Sequence, residues 1–382
     1  MIELKGKMPK KGEKLSRSAA KTMAVILATI IGVTGFTVES YAGDWWEKVK
    51  IKGDLRYRHE MLKDEGEDAR HRHRVRARVG ILGEVNDYTS VGVQYATGSD
   101  DPVSTNQTLD NGFSSKSVVL DLAYLKMKCR LVDGLVITAG KFKNPFYKPG
   151  KSELVWDSDW NPEGGALHYV HDMNDLSVDI RGAGLWIDER SSDADSWLGA
   201  GQAIFTQKFN EGETHISVGG SFYNYVNTVG YEPFWGDEAM GNSVDTNNVY
   251  LNDYQIIEAM VEVGHEFNDI PVTVMGDFVN NTGADSLNTG WLFGVHVGKA
   301  KELYSWSAQY IYRQVEKDAV LGLFTDSDFR GGGTDAKGHE IGGSFVTARN
   351  STFNVTYFIN TIGLEGDGAG FNRLQVDLQL KF

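Results

Sequence analysis

The chain has 382 residues with 38 basic and 52 acidic side chains, a formal charge of −14, and glycine at 44 positions against proline at only 7. That acidity excludes a surface that wraps nucleic acid. A mean hydropathy of −0.33 excludes a bundle of membrane helices, and 41% apolar content argues against disorder.

The first segment reads as an export signal. Residues 1–42 hold seven basic and three acidic side chains, which leaves the remainder of the chain at −18. The stretch 23–38 runs sixteen residues without a charge, and Ser40-Tyr41-Ala42 then supplies the small–x–small pattern that signal peptidase cuts. A run of that length falls short of the ~20 apolar residues that span a bilayer as a helix. Cleavage between Ala42 and Gly43 is therefore expected, with 43–382 left as a single domain.

From Val49 onward the hydrophobic period is two. Ile51, Leu55 and Tyr57 alternate with Lys50, Lys52, Asp54, Arg56 and Arg58, and Val75, Ala77 and Val79 alternate with Arg74, Arg76 and Arg78. Sixteen such segments are predicted, at 49–60, 72–84, 89–97, 116–128, 134–143, 164–171, 176–188, 196–208, 214–225, 254–267, 270–281, 289–300, 304–315, 338–348, 351–361 and 371–382. Alternation is poor in 134–143 and 196–208, so the facing of those two stays open. Many of the segments match the ~9–11 residues a tilted strand needs to cross a membrane. Short and long connections alternate, and Pro102, Pro145, Pro149, Pro162 and Pro233 all fall in the longer set. A soluble sandwich or propeller favours shorter strands, and no propeller-length repeat is visible. The expected fold is all-β: a transmembrane antiparallel up-and-down barrel of about 16 strands, polar inside and apolar outside, with short periplasmic turns and long extracellular loops.

The opening strand IKGDLRYRHE (51–60), the arginine strand RHRVRARVG (72–80), the segment GKFKNPFYKPGKSELVWDSDWNPEGG (140–165) and the terminal LQVDLQLKF (374–382) resemble a Gram-negative outer-membrane porin of the putative-porin type. The resemblance covers the whole chain after the export signal. It implies passive diffusion of small hydrophilic solutes or ions, often through a homotrimer, in an outer membrane rich in lipopolysaccharide. It also implies that the barrel-assembly machinery reads the last strand, where Val376, Leu378, Leu380 and Phe382 fit the family's alternating, aromatic-ended pattern. No ladder of lumen aromatics supports a sugar channel, and no cofactor is implied.

Two features could carry function. Lys50, Lys52, Arg56 and Arg58 share one face of the first strand, and Arg72, Arg74, Arg76 and Arg78 share one face of the second. Paired, they form a basic wall, and cations facing lipid would cost about 2–4 kcal/mol each at mid-membrane, so the lumen is their side. The alternative is that these arginines only neutralise neighbours such as Asp54 and Glu60. The second feature is the loop 144–163, the third long loop, which in general porins folds inward as a constriction. It carries Glu153, Asp157, Asp159 and Glu163, with Trp156 and Trp160 to pack it. Facing the wall, it would set a transverse field and a weak anion preference. Its acids could instead hold divalent cations beside lipopolysaccharide. Glu258, Glu262 and Glu266 fall on one strand face as an acidic lumen patch. His71 and His73, and likewise His168 and His171, are lumen or loop-end histidines rather than metal ligands, since no third ligand is evident. Gly331-Gly332-Gly333 reads as a flexible loop tip. A specific receptor or the sheath of an electron conduit is the rival function, with an outer-membrane hydrolase behind it for want of a Ser/His pair.

Overall fold

The computed structural model describes residues 45–236 and 238–382; the predicted export signal and the Ala42–Gly43 junction lie outside them. A single 3-10 turn, Trp45–Lys48, leads into β1 (Val49–Asp64), β2 (Arg70–Asn86), β3 (Thr89–Thr97), β4 (Gln107–Thr108), β5 (Val118–Lys128), β6 (Leu135–Lys141), β7 (Glu163–Met173), β8 (Leu176–Asp188) and β9 (Ser196–Phe209). The chain continues through β10 (Thr214–Val226), β11 (Gln255–Phe267), β12 (Ile270–Asn281), β13 (Thr289–Gly298), β14 (Trp306–Val315), β15 (Ala336–Ala348), β16 (Ser351–Ile362) and β17 (Ala369–Lys381). The two residues of β4 belong to a loop and pair with β2 above the point where β3 has ended. Sixteen strands therefore form the wall. β3, β8 and β12 have the predicted bounds, and each other end lies within four residues of expectation.

Consecutive strands pair antiparallel all the way round, and β1 closes on β17 in a register that runs from Asp54↔Lys381 to Asp64↔Phe371. Closure matters because a strand edge in lipid would leave donors and acceptors unpaired with no water to serve them. The tight connections lie together at one end of the barrel. The β11–β12 turn places Asn268 and Asp269 at φ 48° and 66°, the left-handed pair whose twist suits a two-residue hairpin. Gly53 is required where the chain closes, since a Cβ there would lie 2.5 Å from the Arg78 carbonyl oxygen.

The pleat sorts the side chains. Leu55, Tyr57, Val79, Ile81, Phe222, Ile257, Phe293, Phe353 and Leu378 point outward and are exposed, while Arg58, Glu60, Arg76, Glu258, Arg373 and Asp377 point inward and are buried. One sector breaks the rule. Leu185, Leu198, Tyr223, Ile256, Met275, Leu292 and Ile311 also face inward, at 4% exposure or less. They pack against loop residues inside the barrel, which is why β9 lacks the alternation of a strand facing a watery lumen.

The facing of the last strand yields a direct test. Leu378 pairs with Tyr57 and Phe353 on the outer face, whereas Gln379 faces the lumen beside Arg56 and Thr352. A carboxylate on the lipid side costs up to about 2 kcal/mol. Leu378→Asp is expected to lower the yield of heat-modifiable folded barrel, and Gln379→Asp to leave it near wild type. Equal yields would contradict this facing.

Candidate functional site

Two loops fill part of the lumen. The first leaves β6 after Lys141, crosses the interior and returns at Glu163. Arg181 on β8 donates to the Pro145 carbonyl (2.7 Å), and Gln202 on β9 both accepts from the Tyr147 N–H (2.7 Å) and donates to its carbonyl (3.0 Å). Farther across, the Gly150 N–H donates to Glu262 on β11 at 2.6 Å. That approach admits only glycine, because φ is 55° and a Cβ would sit 1.9 Å from the Met275 sulfur. Trp156 and Trp160 stack at 4.5 Å between centroids and meet Phe146, Tyr223 and Phe324. Burial of this aromatic set holds the loop inside.

The second loop, 316–335 between β14 and β15, was not singled out from the sequence. It lies against the first: the Asp157 N–H donates to the Phe324 carbonyl (2.7 Å), and the Ser327 N–H returns to the Asp157 carboxylate (2.9 Å). Its apolar run from Ala319 to Phe324 is buried apart from no member, a hydrophobicity that a solvent-exposed loop would not carry and that was the available signal. Gly331-Gly332-Gly333 is not a free tip. Gly332 and Gly333 are buried, and a Cβ on Gly333 would lie 2.1 Å from the Met240 carbonyl.

Both loops reach the arginine wall. The β1–β2 register sets Asp54 opposite Arg78, Arg56 opposite Arg76, Arg58 opposite Arg74 and Glu60 opposite Arg72. Arg58 makes a bidentate pair with Asp377 of β17 at 2.7 and 2.8 Å, and Arg56 lies 3.9 Å from the same carboxylate. Glu60 is shared by Arg72, Arg74 and Arg373, and Asp54 by Arg76 (3.1 Å) and Arg78 (2.7 Å). The first loop adds Asp159, 3.4 Å from Arg76 and 3.5 Å from Arg78. The second adds Asp328, 2.7 Å from Arg373 and 3.4 Å from Arg58. Arg373 and Arg58 hold the Asp328 carboxyl well below its usual range against the opposing effect of burial. Lys50 and Lys52 stand apart at the exposed start of β1, where Lys50 pairs with Glu84 at 3.0 Å.

Opposite the wall, carboxylate oxygens of Glu153, Asp157 and Asp326 lie within 4.8 Å of one another, a spacing that could hold a cation. Lys148 (3.5 Å from Glu153) and Arg313 (2.9 Å from Asp326) already offset that charge. Burial, with Asp326 nearby, pushes Glu153 up to about 7, and burial beside Glu153 and Asp159 pushes Asp157 well above the usual carboxylate range. Glu163 sits at the rim, paired with Lys141 at 3.1 Å. Of the acidic patch on β11, Glu258 accepts from Ser221 and Tyr223, Glu262 anchors Gly150 and His215, and Glu266 is exposed. His168 faces the lumen against Asp179 (2.9 Å), while His171 lies outside beside Tyr169.

The open space lies between the first loop and β11–β17. A cavity of about 610 Å³ is lined by Arg58, Lys148, Glu153, Glu262, Arg313 and Glu340, among others. A second of about 420 Å³ adjoins it, sharing Lys151, His296 and Gln309, and carries Lys299, Lys301 and Lys381 near the tight-turn end. Both cavities lie against the inward-folded first loop, which contributes Lys151 to each lining.

Comparison with solved structures places the fold. OmpF of Salmonella typhi, in complex with daunomycin, matches with a TM-score of 0.55 at 13% identity over 87% of this chain and 97% of that one. OprB of Pseudomonas putida, in a high-pH structure, matches with a TM-score of 0.58 at 10% identity over 88% and 94%. No curated protein sequence matches the chain. The family model described as "Putative porin" matches residues 61–249 and 247–382. The chain therefore belongs to the Putative porin family and is a porin-type outer-membrane channel built as a closed sixteen-strand barrel.

Proposed function

We propose that this channel passes small hydrophilic solutes and ions by diffusion, with a weak preference for anions, and that the loop 144–163 is its constriction. In this reading segment 1–42 directs export and is cut at Ala42–Gly43. The barrel-assembly machinery then reads the strand ending Val376, Leu378, Leu380 and Phe382, and the barrel sits as a homotrimer among lipopolysaccharide. The observation that carries the reading is the pair of adjoining cavities. Their linings bring together Arg58, Lys148, Lys151, Arg313, Lys299, Lys301 and Lys381 against Glu153, Glu262, Asp326, Asp328 and Glu340. Seven cations against five carboxylates is a small positive excess, concentrated at the lysine-lined end.

The overall acidity of the chain does not oppose this. Loop-tip acids more than a Debye length of ~10 Å from the passage are screened at 0.1 M salt, while charges in the narrow lumen act at close range. The arginine wall contributes in two ways: it supplies positive field across the narrowing, and through Asp159 and Asp328 it pins both loops.

Reversal potentials in asymmetric KCl test the reading. Wild type is expected to favour chloride slightly. Lys299→Ala, Lys301→Ala and Lys381→Ala combined leave four cations against five carboxylates and are expected to reverse the sign. An unchanged reversal potential would put permeation elsewhere.

Selectivity is also expected to depend on pH. Glu153 has about a fifth of its side chain open toward the cavity, and its carboxyl, raised to about 7, is mostly neutral at pH 6 and ionised at pH 8. Raising the pH therefore adds negative charge, and the reversal potential should move toward cations between pH 6 and 8. Glu153→Gln should flatten that shift; a wild-type potential constant over the interval would refute the assignment.

A further inference from the structure

The outward face of β1 and β2 carries a group of side chains that the passage does not use. Alternation turns His59 outward with Tyr57, and turns His71 and His73 outward with Val79 and Ile81, away from Arg72 and Arg74. The register sets His59 directly opposite His73, with His71 two residues along the same strand beside Met61. Ring centroids are 4.9 Å apart for His59 and His73, and 5.5 Å for His59 and His71. The sequence showed only the His71–x–His73 pair. The third imidazole comes from across the ladder.

Two histidines at i and i+2 and a third on the neighbouring strand project from one sheet face, where opposite Cβ atoms lie about 4.5–5.5 Å apart. That spacing suits three imidazoles converging on one ion with Zn–N distances of ~2.0–2.1 Å. The rings now lie partly stacked, so closing on an ion requires rotation about the side-chain torsions with the backbone register unchanged. His73 Nδ1 is already 2.8 Å from the Tyr57 hydroxyl. With Nδ1–H donating to that oxygen, the tautomer is fixed and Nε2 is left as a metal ligand, the role an outer hydrogen bond plays at a built metal site.

The surroundings leave few other uses for three imidazoles. Their neighbours in the register are Met61, Val75, Leu374, Val376 and Leu378. Among the described residues none of the three forms an ion pair. Apart from His73 Nδ1, their ring nitrogens have no hydrogen-bond partner among the described residues; on an apolar outer face that is costly, and coordination would satisfy them. A donor set of imidazoles without carboxylates selects Zn²⁺, Cu²⁺, Ni²⁺ or Co²⁺ over Mg²⁺ and Ca²⁺, which demand oxygen. We propose that His59, His71 and His73 bind one borderline divalent transition-metal ion on the outer face of the barrel, near the end where β1 turns into β2, with the fourth position open to water or an anionic oxygen.

The test is titration of tag-free, full-length processed protein in detergent with Co²⁺, followed by its visible absorption and by Zn²⁺ competition. One Co²⁺ per chain, displaced by Zn²⁺, is expected. His59→Gln, His71→Gln and His73→Gln, each checked for heat-modifiable folding, should weaken binding tenfold or more. Tyr57→Phe should weaken it about tenfold through loss of the outer hydrogen bond. His168→Gln should bind as wild type, and single-channel conductance should not change on adding Zn²⁺. Absence of Co²⁺ binding by the folded barrel at pH 7.5 would overturn the proposal. So would binding that survives replacement of all three histidines, or one ion per three chains.

Discussion

An arginine removed from bulk water needs a carboxylate within reach, and the lumen is organised by that requirement. Seven arginines, at positions 56, 58, 72, 74, 76, 78 and 373, share one wall formed by β1, β2 and β17. The same three strands offer only Asp54, Glu60 and Asp377 as partners. Like charges this close repel, and the desolvation of each is repaid only by close partners. The deficit is reduced by the loops, which bring Asp159 and Asp328 to the wall. Charge balance on one side of the barrel thus draws in the segments that narrow it.

Electrostatics alone would not hold two long loops inside. Their apolar residues pack on inward-facing Leu185, Leu198, Tyr223, Ile256, Met275 and Leu292 to make a hydrophobic core inside the barrel. The barrel is therefore divided. The packed part reaches Ile256, Met275 and Leu292 on β11–β13, while Glu262, Thr273 and His296 on the same strands line the part that stays polar and open toward β17. Gly150, tight against Met275, marks how closely the first loop approaches the far wall. Glu153, Asp157 and Asp326 cluster where the two loops meet, and Lys148 and Arg313 pair with them directly at 3.5 and 2.9 Å, so both signs of charge meet at that junction.

The barrel was legible because period-two alternation is local. Leu374, Val376, Leu378 and Leu380 against Arg373, Gln375, Asp377 and Gln379 state which side meets lipid without reference to any other strand. The arginine row and the loop 144–163 were legible for the same reason: each is a contiguous stretch of chemistry. What depended on distant partners was not. The alternation of β9 is obscured because Leu198 packs against inserted loops rather than water. The inward fold of 316–335 rests on Asp328 finding Arg58 and Arg373, which are 270 and 45 residues away. The third histidine on the outer face likewise needed the β1–β2 register, which sets His59 against His73.

The arginine wall fixes one side of both loops through one carboxylate from each. Single-channel conductance of the Asp159→Asn, Asp328→Asn double variant in planar bilayers tests it most directly. The asparagines keep the shape and remove only the charge, so the loops should detach from the wall. A larger mean conductance with added open-state noise is expected. A conductance and noise level indistinguishable from wild type would contradict it.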